Sequence, residues 1–444
     1  MPTKEAVMQA VEEHGIRFVD LWFTDILGGV KSITVPATKL EAVIDHGAHF
    51  DGSSIDGFAR VAESDMELVP DLATFSILPW STPESPLARM ICDAYTPQGE
   101  PFIGDPRSAL KRVTDEAQAM GFIFKTGMEL EFFLFKTTDG HLPDPCTPFD
   151  DASYFDMSLD YPQALRRQMM DTLAALGINV HSTHSEIAQG QHEFELGYDE
   201  ALATADHILT ARVALKTVAQ RNGVYCTFMP RPCADRPGSG LHTHQSLHDA
   251  ATQANVFADP THEYGLSEVA RQFLAGQLYH ARAMTAVLAP LVNSYKRLGK
   301  SFEAPVYVSW AHVNRAALIR VPSISPGKEQ HARLELRCPD PSANPYLAAA
   351  VMLKAGLDGI RQKMVLPDPL EETLLAQKRS RMRKMEMLPV TLGDALEALR
   401  DDDVILGALG PYIGDRFIEA KQQEYDDYNR FVTTWELDRY LAKY

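Results

Sequence analysis

The sequence predicts an α+β protein whose helices flank a largely antiparallel sheet. Segments with helical periodicity interleave with short alternating segments, without the strict strand–helix–strand rhythm that a parallel sheet requires. The chain of 444 residues is long enough for two domains. Prolines and glycines crowd residues 96–106, so we expect a domain boundary there, with residues 1–104 in one domain and 105–444 in the other.

The N-terminal domain is expected to begin with a short helix over residues 4–14, where apolar side chains recur on one face. Residues 17–24 and 30–35 then alternate between apolar and polar side chains, with two consecutive glycines in the turn between them. This pattern is typical of a β-hairpin. Residues 68–95 contain further strand-like runs that prolines interrupt.

The C-terminal domain is expected to combine long helices with short strands. Residues 106–120 have an amphipathic helical pattern, and residues 122–135 read as a strand. Longer helical patterns follow at residues 161–176, 198–221, 265–291 and 345–363. Short strand-like runs lie at residues 223–229, 305–310, 317–321 and 333–337. The segment from Thr391 onward is helical and charged, which is typical of a solvated cap or an assembly surface.

Composition argues against several classes of function. A formal net charge of −18 disfavours nucleic acid as a partner. No run approaches the roughly 20 apolar residues that a membrane span needs, and the N-terminus is polar, so we expect a cytoplasmic protein without a targeting segment. The five cysteines form no CxxC pair, which argues against a disulfide framework and a structural zinc site.

Two segments carry carboxylates in patterns that suit metal ions. Glu129 and Glu131 leave the same face of an otherwise apolar strand, where they repel each other unless a cation or an arginine lies between them. Residues 184–196 add four candidate ligands, namely Glu186, His192, Glu193 and Glu195. Oxygen ligands of this kind suit Mg²⁺ or Mn²⁺. The alternative is that both segments carry solvated glutamates on an edge strand and a surface loop.

Histidines and arginines extend the pattern. His242 and His244 alternate in a strand after a Gly-x-Gly turn, whose backbone amides can approach a ligand closely. Arg333, Glu335 and Arg337 share one side of another strand. The alternatives are a surface histidine pair and a row of salt bridges on a sheet face.

Taken together, these segments indicate a phosphoryl-transfer site with two cations, in which metal ions and arginines neutralise the transferred phosphate. No Walker A motif, kinase loop or GxGxxG motif is present, so other residues must bind the phosphates. The candidate arginines are Arg297, Arg315, Arg320, Arg333 and Arg337.

Over essentially its whole length the chain resembles the glutamine synthetases, specifically the prokaryotic type I family. The matching segments are, in order, DGSSI at Asp51, ESDM at Glu63, GMELEFFLF at Gly127, HSEIAQGQHE at His184, GSGLHTHQS at Gly238, NSYKR at Asn293, EAP at Glu303, NR at Asn314, RLELRCPDP at Arg333 and SANPY at Ser342.

The resemblance implies a small N-terminal β-grasp-like domain and a large catalytic domain with a curved, largely antiparallel sheet flanked by helices. It also implies stacked hexameric rings, hence a dodecamer, with active sites between neighbouring subunits. The implied activity is the ATP-dependent ligation of ammonia to the γ-carboxylate of L-glutamate through a γ-glutamyl phosphate. Small molecules are thus the expected partners, and two or more Mg²⁺ or Mn²⁺ ions per site are the expected cofactors.

The resemblance also implies roles for individual residues. The ligands of a first metal would be Glu131, Glu186 and Glu193, and those of a second would be Glu129, His242 and Glu335. The implied catalytic residues are Asp51, which a neighbouring subunit donates to bind ammonium and take its proton, Glu303 on a flap that shields the intermediate, and Arg315. The implied substrate-binding residues are Gly238, Arg297, Glu303, Arg315 and Arg337. The implied nucleotide-binding residues are His244, Ser246, Arg320 and Arg333.

Departures from the family pattern keep other functions open. Pro237 replaces an asparagine that helps to hold glutamate, and this variant resembles the related γ-glutamyl-amine ligases, which use methylamine, ethanolamine or polyamines. The flap sequence at residues 298–303 differs, and Gln330 stands where a phosphate-binding lysine is usual, although Lys328 is near. Asp51 is retained, which favours ammonia. A catalytically silent nitrogen sensor is the third possibility.

Regulation is partly readable from the same resemblance. The segment that carries an adenylylated tyrosine in one subgroup is absent near residues 370–390, where the chain is basic instead. Residues 56–60 resemble another subgroup, in which the arginine at the position of Arg60 mediates feedback inhibition by glutamine. A surface arginine without that role is the alternative.

Overall fold

The computed structural model describes residues 2–52, 65–138, 143–157, 161–299, 304–325, 327–371 and 385–444. The described parts form two sheets with helices around them, which confirms the α+β fold class. The residues of three predictions lie outside the described ranges, namely Arg60, Glu303 and the basic segment near residues 372–384.

The smaller sheet has the strand order β2-β1-β6-β4-β3, and the short β5 pairs with β6. Strands β1 and β6 pair in parallel and the other pairs are antiparallel. The elements of this part are α1 (Lys4–Glu13), β1 (Phe18–Thr24), β2 (Val30–Pro36), α2 (Ala37–His46), β3 (Ala48–Asp51), β4 (Asp65–Pro70), β5 (Ser76–Ile77) and β6 (Leu87–Tyr95). The predicted hairpin is present, and the apolar side chains of α1, α2 and this sheet form one core.

The larger sheet has the strand order β14-β15-β16-β13-β7-β10-β9, and all pairs except β14 with β15 are antiparallel. Its strands are β7 (Phe122–Thr137), β8 (Pro143–Pro148), β9 (Val180–Ser185), β10 (Gln191–Leu196), β11 (Asp199–Glu200), β12 (Val224–Thr227), β13 (Leu241–Asp249), β14 (Trp310–Ala311), β15 (Ile319–Arg320) and β16 (Leu334–Leu336). The central β7 also pairs with β8, β11 and β12.

Helices cover this sheet. They are α3 (Pro106–Ala119), α4 (Tyr161–Ala175), α5 (Ala201–Arg221), α6 (Glu268–Tyr279), α7 (Ala281–Leu288), α8 (Ser294–Arg297), α9 (Pro345–Arg361), α10 (Leu392–Arg400), α11 (Asp403–Leu409), α12 (Pro411–Arg430) and α13 (Thr434–Glu436). Local chemistry explains two of their starts. Asp105 caps α3 and Asn344 caps α9, each accepting two backbone N–H groups, and a proline follows each cap at the first helical position.

Some predicted boundaries were wrong. The predicted helix over residues 265–291 is two helices, because the backbone leaves the helical region at His280, which ends α6 and precedes α7. The predicted strands at residues 305–310 and 317–321 shorten to β14 and β15. The predicted domain boundary at residue 104 falls between β6 and α3, and the division into two domains stays a prediction. Within the described ranges, no helix combines the length and the apolar character needed to cross a bilayer.

Candidate active site

The register of the larger sheet brings the predicted carboxylates together. On the central strand β7, Glu131 lies directly opposite Glu193 of β10, and Glu129 lies between Glu195 of β10 and His242 of β13. Residues opposite each other on neighbouring strands share a face of the sheet. The three strands therefore place these side chains side by side on one face.

Glu129 is in contact with both predicted histidines. Its two carboxylate oxygens lie 2.9 Å from His242 Nδ1 and 2.9 Å from His244 Nε2. Burial by itself would raise the pKa of Glu129, but the two histidines outweigh burial and hold this pKa well below its usual range. Glu129 is thus a carboxylate at neutral pH.

Glu335 lies at the other edge of this group, between two arginines. Arg320 and Arg337 each donate a hydrogen bond to one of its carboxylate oxygens. Burial opposes ionisation of Glu335, yet the charge of Arg337 and the nearby histidines lower its pKa. The buried carboxylate is therefore charged and paired.

A second, more acidic end of the site contains Glu131, Glu186 and Glu193. His184 Nε2 lies 3.1 Å from Glu186 Oε1 and 3.8 Å from Glu193 Oε1. Burial, followed by repulsion from the neighbouring glutamates, raises the pKa of Glu193 to about 10. Burial also raises the pKa of Glu131, although Gln191 Nε2 at 2.9 Å and the Gly240 N–H at 3.0 Å donate to its carboxylate. The carboxylates of this cluster are therefore buried and crowded together.

The donor sets fit divalent metal ions. Among the described residues, three groups have ligand atoms within 4.8 Å of one another, namely Glu129 with His242 and Glu335, Glu131 with Glu193 and His242, and His184 with Glu186 and Glu193. Carboxylate oxygens with one imidazole each suit Mg²⁺ or Mn²⁺. A bound cation would also relieve the repulsion that raises the pKa of Glu193. The residues present therefore fit the metal ions that the sequence predicts.

These groups line a cavity of about 450 Å³ that also contains a basic side. The arginines at its wall are Arg231, Arg297, Arg315, Arg320 and Arg337. Arg297 is buried, and its terminal nitrogens donate to the carbonyl oxygens of residues 337–339 at 2.9–3.0 Å. It therefore braces the segment after β16 as well as facing the cavity.

Gly238 forms part of the wall beside Pro237, and Gly240 lies close to Arg297 and His242. A Cβ at Gly238 would lie 2.3 Å from the carbonyl oxygen of Pro230, and a Cβ at Gly240 would lie 2.6 Å from a guanidinium nitrogen of Arg297. The backbone is thus packed too closely for any side chain at these two positions. The Gly-x-Gly turn thus brings Gly238 to the cavity wall, and the N–H of Gly240 donates to Glu131 at 3.0 Å.

The other predicted residues lie around the cavity or away from it. Arg333 Nε lies 3.3 Å from His244 Nδ1, on the side of His244 away from Glu129. The hydroxyl of Ser246 is 2.6 Å from that of Tyr198. Asp51 belongs to β3 of the smaller sheet and is not among the residues at the cavity wall.

The structure brings to the site further residues that were not predicted from the sequence. His184 belongs to one of the three candidate metal groups, and Gln191 bonds Glu131. Tyr154 and Phe155 line the acidic end of the cavity. The alternation of Gln191 with Glu193 could have indicated Gln191, but Tyr154 and Phe155 follow an irregular segment that carries no periodic signal.

Comparisons with known proteins agree with this arrangement. The family described as "Glutamine synthetase, catalytic domain" matches residues 103–440, and "Glutamine synthetase, beta-Grasp domain" matches residues 15–97. The chain is 46% identical to the glutamine synthetase of Halobacterium salinarum, over 99% of this chain and 97% of that one. It is also 46% identical to the glutamine synthetase of Thermus thermophilus, over 100% of this chain and 99% of that one.

The chain also has the same overall fold as solved structures. Two with the titles "GmaS/ADP complex-Conformation 1" and "Apo GmaS without ligand" superpose with TM-scores of 0.88 and 0.87 at 33% and 34% identity. Each superposition covers 98% of this chain and 99% of the other. Matched along nearly its whole length by both family domains and by these relatives, the chain belongs to the glutamine synthetase family.

Proposed function

We propose that the protein catalyses the ATP-dependent ligation of ammonia to the γ-carboxylate of L-glutamate, with ADP, phosphate and glutamine as products. The observation that carries this proposal is one cavity whose lining contains three candidate metal groups together with several arginines. Phosphoryl transfer needs that combination, because the transferred group is highly charged. The membership of the glutamine synthetase family points to the same reaction.

In the proposed reaction a γ-carboxylate oxygen attacks the γ-phosphorus of ATP, and ADP leaves. This activation is required because a carboxylate does not expel oxide. Divalent cations at the acidic groups would neutralise phosphate charge and polarise the reacting oxygens. Arg320 and Arg337 already lie at the cavity wall beside Glu335, where they can contact phosphate oxygens.

The second half of the reaction replaces phosphate by ammonia. Ammonium enters as a cation, which suits the end of the cavity lined by Glu186 and Glu193. It transfers a proton to a carboxylate, for which we propose Asp51 of a neighbouring subunit, and the free amine then attacks the acyl phosphate. We propose that Glu303 helps to exclude water from this intermediate, since water would compete with ammonia. Arg297, Arg315 and Gly238 are the proposed contacts of glutamate.

The remaining expectations belong to the same proposal. The protein would act in the cytoplasm as a homo-oligomer of stacked hexameric rings, with Mg²⁺ or Mn²⁺ at each site. His244, Ser246 and Arg333 would bind the nucleotide, and Arg60 would respond to glutamine. Residues 1–104 and 105–444 would be the two domains.

Pro237 favours one alternative, a γ-glutamyl-amine ligase of the same mechanism. It lies at the cavity wall next to Gly238 and offers no side-chain amide to a substrate. A change at this position is therefore expected to affect both the affinity for glutamate and the choice of acceptor.

The test is phosphate release from ATP with glutamate, Mg²⁺ or Mn²⁺, and each of ammonium, methylamine, ethylamine, ethanolamine and putrescine. We expect ammonium to have by far the highest kcat/KM. An alkylamine with the highest value would assign the protein to the amine ligases, and absence of turnover with every acceptor in a folded oligomer would refute both enzyme assignments. In the same assay, Pro237→Asn is expected to lower the KM for glutamate several-fold, because the new amide can bond the substrate.

A further inference from the structure

Residues 150–157 pass around the outer edge of the larger sheet, from the face that is packed against α4 to the face that carries the candidate metal ligands. At one end of this segment Asp150 contacts His192. At the other end, Tyr154 and Phe155 line the acidic end of the cavity. The edge strand β9 lies between these two ends, since it is the last strand of the sheet.

His192 lies on β10 next to Glu193, but its side chain is on the opposite face of the sheet. It pairs with Phe132 and Ser185 across the neighbouring strands, whereas Glu193 pairs with Glu131 and with His184. The ring of His192 is fully buried and packs against Phe132 with 5.8 Å between ring centroids. It can therefore influence the cavity only through the elements that it holds in place.

The contacts of His192 define its tautomer. Arg166 of α4 has a terminal nitrogen 3.3 Å from His192 Nδ1 and 2.5 Å from Ser185 Oγ. A guanidinium group only donates, so Nδ1 accepts and the ring proton is on Nε2. That nitrogen lies 3.2 Å from Asp150 Oδ2, which is ion-pair distance, and both atoms are buried and make no hydrogen bond of good geometry with the described residues. The buried N–H and this carboxylate oxygen therefore lie in contact with each other.

The segment that begins at Asp150 is attached to the sheet at both of its ends. Asp150 Oδ1 accepts the N–H of Ala152 at 3.2 Å, and the N–H of Gly190 also donates to its carboxylate. Further along the segment, the N–H of Phe155 donates to the carbonyl oxygen of Ser185 at 3.1 Å. The segment is therefore fastened at its start to β10 and at its end to β9.

The aromatic end of the segment has features that are unfavourable unless other contacts hold it in place. Phe155 has a positive φ of 59°, which is unfavourable for a bulky residue, and its side chain is 64% exposed. Its ring lies 4.5 Å from that of His184 and 4.1 Å from that of Tyr154. These tilted rings pack on His184, whose Nε2 faces Glu186 and Glu193.

We infer that the buried Asp150–His192 pair positions the acceptor end of the cavity, by holding residues 150–157 so that Tyr154 and Phe155 stay over His184. Both are positioning residues, because neither lines the cavity. The prediction of His192 as a metal ligand was wrong, since it lies on the opposite face of the sheet and belongs to none of the three metal groups among the described residues. The acceptor is the substrate concerned, since it is the cation that suits the acidic end. This inference rests on the proposed ligase function for its kinetic part only.

The first test does not depend on activity. Hydrogen exchange of the amides in residues 150–157 is measured by mass spectrometry in the wild-type protein and in Asp150→Ala. We expect faster exchange in the variant, including the Phe155 amide that bonds Ser185. Asp151→Asn is the matched control, because Asp151 is adjacent but exposed, and it should exchange like the wild type. Unchanged exchange in Asp150→Ala would overturn the inference.

The second test is kinetic. Asp150→Ala is expected to raise the KM for the acceptor at least about fivefold while the KM for ATP changes by less than about twofold. Asp150→Asn retains one accepting oxygen and should recover part of the loss. His192→Ala combined with Asp150→Ala should be no worse than either change alone, because both remove the same contact.

The outcomes separate this inference from the proposed function. An equal rise in the KM for ATP, or additive effects in the double variant, would overturn the positioning role. If Asp150→Ala does not fold, Asp150→Asn carries both tests, with a partial effect expected in each. A wild-type protein without ligase turnover would refute the proposed function, and the hydrogen-exchange result would still decide whether the pair holds the segment.

Discussion

Glu129 and Glu195 lie directly opposite each other on β7 and β10, but their surroundings differ. Glu129 contacts two histidines and belongs to a candidate metal group, whereas Glu195 accepts a hydrogen bond from Ser182. Two glutamates on one face therefore offer a direct comparison of a proposed ligand with a neighbour of the same charge.

We expect Glu129→Gln to weaken Mn²⁺ binding by at least about 10- to 100-fold, the loss seen even when only an outer partner of a metal ligand is removed. Glu195→Gln serves as the matched control, and its effect should be under about tenfold. Isothermal titration of Mn²⁺ into each protein measures both values without a substrate. Equal losses in the two variants would contradict the proposed ligand set.

At the scale of elements, His280 lies at the break between α6 and α7 and connects it to α9 and α11. Its Nδ1 lies 2.6 Å from Asp402, which caps α11, and its Nε2 lies 3.2 Å from Asp358 of α9. Burial opposes protonation of His280, but the two carboxylates outweigh it and raise the pKa. The charged ring therefore stabilises this junction.

The sign of the pH dependence follows from the raised pKa. The contribution of His280 is fully present below its unfolded pKa of about 6.5 and is lost as pH rises through the higher folded pKa. Urea unfolding between pH 6 and 9 should show this loss in the wild type. His280→Gln should unfold about 2–4 kcal/mol more easily at pH 6, since it leaves two carboxylates poorly paired, and the difference should shrink at high pH. A difference that is independent of pH would contradict the assignment.

At the scale of the whole molecule, Arg107 connects the two sheets. This buried residue of α3 pairs with Asp71 at 2.7 Å and Asp93 at 2.9 Å on the side of the smaller sheet, and with Asp206 of α5 at 2.9 Å. Tyr346 at the start of α9 donates to the same Asp206 at 2.6 Å. One guanidinium thus forms ion pairs with three carboxylates from distant parts of the chain.

Arg107→Met is expected to lower the free energy of unfolding by about 3–5 kcal/mol, because it leaves buried carboxylates without their partner. Lys111→Met is the control on the same helix. Lys111 pairs with Asp93 but is 35% exposed, so its loss should cost only about 0–1 kcal/mol. Chemical denaturation measures the free energy of unfolding of both variants. A similar decrease in the two would argue against a central role for Arg107.

The proposed assembly has its own test. Asp51 lies on the smaller sheet, apart from the cavity wall, so we expect it to act in a neighbouring subunit. Asp51→Ala and Glu129→Ala are each expected to be inactive alone. Mixed oligomers should recover about a quarter of the activity, the fraction of sites with both intact residues after random assembly of subunits. No recovery after confirmed mixing would mean that Asp51 does not act across subunits.

The sequence alone determined the α+β class, the family and most of the candidate ligands. Alternation along one strand is a local property, so Glu129 with Glu131 and His242 with His244 could be assigned to shared faces directly from their spacing. The ordered motifs fixed the family because they extend over the whole chain. Helix caps such as Asp105 and Asn344 are equally local.

Only the tertiary structure decided which distant residues meet. The pairing of Glu131 with Glu193 and of His244 with Glu335 depends on the register between strands, and spacing within one strand carries no information about its partner. The same reason hid His184 and the Asp150–His192 pair, which arise where strand, helix and irregular segment pack together. Contacts between residues far apart in the chain are determined by the packing of the whole molecule.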